Sequence, residues 1–429
     1  MTTRDLILRG ARTLGAPETV DIAIVDGYIA AVGPNHDAGE TLELDGRLVL
    51  PAFVDSHVHL DKAFLWDSPL MHGRRGPDVL RALRTFKSRA HKDDLERRMQ
   101  RALELATHSG TTAMRVQVDV DDVIGLIGLE VALELRRRWA DRLRIQIVAF
   151  PQEGLLGRPG LMPLLRQALA SGADAVGGGP TFDSVAPGEH LAAVFELARE
   201  FDRDVDLHVD LNTPPSRPPH QWEVAEVARL TRAIGWEGRV TVAHMRGLGA
   251  MAPEALGSLL GVMQDVGINV TIVPGAELHI ARTWWDPPVR EVSRAMTNLD
   301  ALLQAGITTS YATGHVRDPW NPHGSANMLL DAFLLTASYN MGEPVISGIP
   351  VLRLGTDLPW RSLRLPGPSN LAVGREADLV VLDARDHDAA VRAPVEPFLV
   401  LKGGHIVGGS ARRGPDRAAH SVQVPDRRS

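Results

Sequence analysis

Apolar residues along this chain gather into short continuous runs, separated by stretches in which they recur every three or four positions. The runs Leu48–Val58, Ala113–Val118, Ile145–Phe150, Ala173–Val176, Val205–Val209, Val240–Ala243, Ile268–Val273 and Ile307–Ala312 predict eight strands. The periodic stretches between them, such as Asp94–Thr107, Leu161–Ala170, Leu191–Phe201 and Glu223–Ile234, predict helices. Strands that are apolar throughout, rather than in alternation, belong to a parallel sheet covered on both faces. Eight such units over roughly 290 residues predict an α/β fold, a (β/α)8 barrel.

The two ends read differently. Val20–Val25 and Tyr28–Val32 flank the turn Asp26-Gly27, a hairpin signature. Ala377–Leu382 and Phe398–Val407 look similar. Their simplest joint reading is one small β-sandwich-like domain built from both termini. The expected boundaries are 1–50 and 351–410 for this domain and 51–350 for the barrel. Residues 411–429, rich in Arg, Ser and Asp, are expected to form a flexible tail.

Composition narrows the function. The 429 residues are 44% hydrophobic and 23% charged, as in ordinary globular proteins. There is no cysteine, which excludes disulfides, thiolate nucleophiles, Cys-ligated zinc and iron–sulfur clusters. The net charge of −7 offers no basic surplus for phosphates, so a nucleic-acid partner is not expected. Only Lys62, Lys87, Lys92 and Lys402 among the 46 basic residues are lysines, which reads as the codon bias of a GC-rich genome. Neither a signal-peptide pattern nor an apolar run of about 18 residues appears, so no membrane partner is expected and a cytoplasmic enzyme is.

The candidate chemistry is histidine. His57-Val58-His59 ends the first barrel strand, and side chains two apart on a strand point the same way. His208 and His244 each end a further strand, and His315 follows the eighth. In a parallel barrel those ends share one rim, where active sites are assembled. Imidazoles meeting there suit a divalent metal. The alternative is a set of solvated loop histidines, since the chain has 16.

These motifs carry a resemblance. Pro51-Ala52-Phe53-Val54-Asp55-Ser56-His57-Val58-His59-Leu60-Asp61-Lys62 resembles the opening motif of the amidohydrolase superfamily. More narrowly, the chain resembles the branch of the bacterial cytosine deaminases and N-isopropylammelide hydrolases. The supporting segments are Ile147–Gly154, His208–Asp210, Val242–His244, Asp318–Trp320, Gly324–Leu329 and Val373–Leu382. The resemblance implies that His57, His59, His208 and His244 hold one divalent ion, zinc, iron or manganese. That ion would lower the pKa of a bound water to about 7. The resulting hydroxide would attack an amidine-type or amide carbon of a small, N-heterocyclic substrate, releasing an amine or ammonia. Gln152 matches a glutamine that contacts the substrate ring, His279 matches a pocket histidine, and Trp320 would wall the pocket. Relatives commonly self-associate, so a homo-oligomer is an open expectation.

Two departures matter. The resemblance implies a proton-shuttling glutamate after His208-Val209-Asp210, where this chain has Leu211. Such a group contributes about 10²–10⁴-fold in rate. In Gly314-His315-Val316-Arg317-Asp318-Pro319-Trp320, two residues are deleted relative to the family pattern, including its metal-binding aspartate. His315 or Asp318 could stand in, though an Asp before Pro often only caps a turn. Two smaller features are Gln117, where cytosine deaminases carry a histidine, and the proline-rich loop 213–220. Glu277 falls in the region that borders substrate in relatives. The leading expectation is a metal-dependent C–N hydrolase. The alternatives are a repurposed enzyme catalysing elimination, isomerisation or cyclisation, and a non-catalytic ligand-binding descendant.

Overall fold

The structure is a computed structural model that describes residues 5–16, 18–34, 39–74, 77–283, 296–339 and 341–413. Strands β1 (Leu6–Ala11), β2 (Val20–Val25), β3 (Tyr28–Gly33) and β4 (Glu40–Glu43) form a sheet in the order β3-β2-β1-β4. The hairpin expected at Asp26-Gly27 joins β2 to β3, with Asp26 and Gly27 both at positive φ. β5 (Leu48–Pro51) leaves this sheet for another, described below.

Eight parallel strands follow: β6 (Phe53–Val58), β7 (Thr111–Asp119), β8 (Arg144–Phe150), β9 (Ala175–Gly178), β10 (Asp204–His208), β11 (Val240–Ala243), β12 (Asn269–Ile272) and β13 (Thr309–Tyr311). Each pairs with its neighbour in sequence order, and all are buried at nearly every position. The ring closes where the Gly314 N–H donates to the His57 carbonyl (2.9 Å) and the His59 N–H donates to the Gly314 carbonyl (2.8 Å). Gly314 has φ +66°, and a Cβ there would lie 2.1 Å from Val273 Cγ1, so the closure needs glycine. Helices α1 (Pro77–Lys87), α2 (Lys92–His108), α3 (Ile127–Arg138), α4 (Leu161–Ala170), α5 (Pro187–Phe201), α6 (Glu223–Ile234), α7 (Pro253–Asp265), α8 (Pro274–Thr283), α9 (Leu299–Gln304) and α10 (Met328–Ser338) complete the layer around the strands. The expected (β/α)8 barrel is the observed fold. No described helix is long and apolar enough to cross a membrane.

After the short hairpin of β14 (Val345–Ile346) and β15 (Ile349–Pro350), strands β16 (Leu379–Leu382), β17 (Pro397–Lys402) and β18 (His405–Gly408) pair with β5 in the order β18-β17-β16-β5. Both termini therefore build the small β unit, as expected. Its strands are apolar on both faces because each face has a different partner. Val49, Leu379, Val381, Leu399 and Leu401 pack on Leu8, Ile22 and Ile24 of the first sheet. Leu48, Leu50, Val380 and Leu382 pack on Phe53, Tyr311 and Leu329 of the barrel side.

The expected single strand Leu48–Val58 is thus two. The Ala52 N–H donates to Asp378 and the Phe53 N–H to Gly110, so consecutive backbone donors serve different sheets. An apolar run looks the same whichever sheet takes it. The strand expected at Ile307–Ala312 shortens to Thr309–Tyr311, and that expected from Ala173 starts at Ala175. Of the expected tail 411–429, the first three residues belong to a 3-10 turn, Ser410–Arg413, and 414–429 lie outside the described residues.

Candidate metal centre

His57 and His59 project from the end of β6 and His208 from the end of β10. All three are buried, and one ring nitrogen of each lies within 4.8 Å of the others. The Nε2 atoms of His57 and His208 are 2.8 Å apart. His244, one residue past β11, brings its ring to 4.6 Å from that of His208 and 5.6 Å from that of His57. Its φ of +70° is unusual for a non-glycine residue, a strain that persists only where the surroundings fix it.

The chemistry of this donor set fits a cation. Burial, and then the charges of Lys62, His315 and neighbouring imidazoles, hold His59 well below its ordinary pKa. Burial, followed by His244 and His57, does the same for His208. His244 is lowered by burial, then by His57 and His315. Neutral imidazoles present lone pairs, and an all-imidazole set suits zinc or iron.

A second layer orients these rings. Asp206, two residues before His208 on the same face of β10, sits 3.3 Å from His57 Nδ1. It also accepts from Gln117 Nε2 (3.0 Å) and Arg115 Nη1 (3.2 Å). Burial alone would raise the Asp206 carboxyl, but His57 and Arg115 outweigh it and hold it below the usual range. With Nδ1–H given to Asp206, the His57 Nε2 lone pair is left for the cluster. Gln117 is therefore placed behind His57, with its amide nitrogen 3.2 Å from the ring, rather than in an open pocket.

Lys62 forms a further support. Its ammonium donates to Asp119 (2.6 Å) and Asp61 (3.1 Å) and lies 3.5 Å from His59 Nδ1. Asp119 also pairs with Lys87 at 2.6 Å, and Lys87 reaches Asp121 and Glu153 as well. Two of the chain's four lysines are thus buried among carboxylates beside the cluster.

The loop after β13 has a defined arrangement. Asp318 Oδ2 bonds His315 Nδ1 at 2.7 Å, while Oδ1 accepts from the backbone N–H of Trp320 (2.9 Å) and Asn321 (3.1 Å). Asp318 is thus occupied as an orienting and turn-capping group. The His315 ring stacks on His59 at 4.9 Å, nearly parallel, and on Trp320 at 5.9 Å. Trp320 in turn packs with Leu65 and Met71, with Val79 and Leu83 of α1, and with Ala276 of α8.

Past His208, Asp210 turns the chain at φ +53°. Its carboxylate accepts from the N–H groups of Glu223 (2.9 Å) and Val224 (3.0 Å), capping α6, and from Thr213 Oγ1. Glu223 returns the bond by accepting the Asp210 N–H at 2.6 Å. Burial and the neighbouring Asp210 charge push the Glu223 carboxyl up to about 7. Leu211 is half-buried, and its side chain offers no group that can carry a proton.

Gln152, just after β8, is buried with its amide oxygen unpartnered. His279 lines a cavity of about 350 Å³ with Asn321, His323 and Asp331. Glu277 is buried, its carboxylate accepting the N–H and hydroxyl of Thr297. Sequence reasoning missed Asp206, Arg115, Asp119 and Arg246, and the supporting places of Lys62 and Lys87. For Asp206 the signal existed, since it shares a strand face with His208. For Lys62 and Lys87 it was their type, since only four of the 46 basic residues are lysines.

Comparison with known proteins gives these positions a context. A model described as the amidohydrolase family matches residues 79–407. N-isopropylammelide isopropyl amidohydrolase of Pseudomonas sp. (strain ADP) is 28% identical over 94% of this chain and 97% of that protein. The crystal structure of N-isopropylammelide isopropylaminohydrolase from Burkholderia multivorans is 31% identical, covers 95% of this chain and 99% of its own, and superposes with a TM-score of 0.82. That of 5-methylcytosine deaminase from Klebsiella pneumoniae, liganded with 5-fluorocytosine, is 26% identical over 94% and 97%, with a TM-score of 0.81.

Proposed function

The chain belongs to the amidohydrolase family, and on that premise we propose that it is a metal-dependent hydrolase of a non-peptide C–N bond in a small N-heterocycle. Relatives that cover 94–95% of this chain are named as hydrolases of N-isopropylammelide and as a 5-methylcytosine deaminase. The non-hydrolytic and non-catalytic readings draw no support from them. The observation that carries the proposal is the convergence of His57, His59 and His208 within 4.8 Å.

His57, His59 and His208 would hold the cation, zinc or iron, with His244 as a fourth donor. A divalent cation there supplies Lewis acidity toward water and toward the reacting carbon's substituents. Asp206 keeps His57 in the tautomer whose Nε2 is free. Asp318 does the same for His315, leaving its Nε2 as a proton acceptor beside His59. That pair takes over work which Leu211 cannot do. Gln152 presents an amide oxygen to a ring N–H of the substrate, and Trp320 walls the site and excludes water.

The test is elemental analysis of the purified protein followed by turnover of amine-bearing triazines and pyrimidines in ¹⁸O water. About one equivalent of zinc or iron and one solvent oxygen in the product are expected. No stoichiometric metal, or product without label, would overturn the proposal.

A further inference from the structure

We propose that Arg246 is the specificity-determining residue of this site and selects ring-oxo N-heterocycles that carry negative charge, of the imide or enolate class. The inference rests on the reading above that the barrel mouth is the substrate site.

Arg246 comes two residues after His244, and its backbone N–H bonds the His244 carbonyl at 2.9 Å. The residue is only 3% exposed, yet Nε and Nη1 are both buried with no hydrogen-bond partner among the described residues. A buried guanidinium with open donors is costly, and each unmet donor forfeits a charge-assisted bond. The nearest compensation is Glu277, on α8 after the next strand, whose charge acts on Arg246. The Glu277 oxygens accept from Thr297, and no bond joins Glu277 to Arg246 among the described residues. Arg246 therefore has charge nearby while Nε and Nη1 find no acceptor among the described residues.

On the same rim, three strands away, the Gln152 amide oxygen is buried and without a partner among the described residues too. The rim thus carries donors without an acceptor after β11 and an acceptor without a donor after β8. A ring with an N–H on one edge and an anionic oxygen on the other completes both. The planar guanidinium fork favours an oxygen with delocalised charge over a neutral carbonyl.

The experiment uses the metal-loaded full chain and calorimetric titration with barbiturate and uracil. Both are ring-oxo pyrimidines with no amine to lose, and only barbiturate is an anion at neutral pH. The wild type is expected to bind barbiturate at least about tenfold more tightly, and Arg246→Gln to lose most of that preference. Equal affinities in the wild type overturn the proposal, whatever the folding of any variant. So does an undiminished preference in Arg246→Gln, which would assign it to the metal. If that variant does not fold, Arg246→Lys replaces it, and retention of the full preference there is equally fatal, because an ammonium cannot present the fork. Failure of the hydrolase reading is distinguishable, since it shows as absent turnover of amine-bearing rings while this titration involves no reaction.

Discussion

The Asp206 carboxylate lies 3.3 Å from Nδ1 of His57, on the side of the ring away from the nitrogen that meets His208. One strand thus delivers His208 to the cluster and, two residues earlier, the group that sets the tautomer of another member. Asp206→Asn keeps the shape but can present its amide N–H to the ring. Metal affinity should fall about 10–100-fold, measured by competition with a chelator. Unchanged affinity would remove Asp206 from the ligand-orienting role.

Asp318 bonds His315 through one carboxylate oxygen and two backbone N–H groups through the other. Asp318→Asn should lower kcat by about 10²-fold or more while metal content stays stoichiometric. Loss of metal in the purified variant would instead make Asp318 a ligand.

Gly314 closes the barrel at φ +66° with no room for a methyl group beside Val273. Gly314→Ala combines a left-handed backbone with a clash in the core. Each typically costs about 1–3 kcal/mol, so a clear fall in Tm is expected by circular dichroism. A Tm within a degree of the wild type contradicts the proposed crowding.

The Glu223 carboxyl is pushed up from its ordinary range to about 7, by burial and then by the Asp210 charge. The folded state holds this proton more tightly than the unfolded state. Its contribution is therefore full below the unfolded value and lost as pH rises through about 7. Denaturant midpoints should fall between pH 5 and pH 8, and Glu223→Gln, whose amide oxygen still accepts the Asp210 N–H, should flatten that slope. An equally steep slope in the variant would assign it to other groups.

Much of the architecture was legible because burial on both faces leaves a local mark: continuous apolar runs between helical periods. The histidines were legible for the same reason, since a parallel barrel sends every strand end to one rim. His57-Val58-His59 and His208 needed only strand periodicity to be aimed inward. The sequence could not say that Leu48–Val58 feeds two sheets, because an apolar residue does not record which neighbour covers it.

Nor could it say what Asp318 does. A carboxylate three residues after a histidine can bind that ring, a metal or a turn, and only the folded loop chose the ring and the turn. Asp206, Arg115 and Lys62 owe their roles to partners 57 or more residues away, and Arg246 to buried donors that find no acceptor among the described residues. Hydrogen bonds depend on distances of a fraction of an ångström between segments that the chain brings together only on folding. The order of residues therefore determined which elements form and which rim collects the imidazoles, while tertiary packing decided which polar groups support them and which were left open for a ligand.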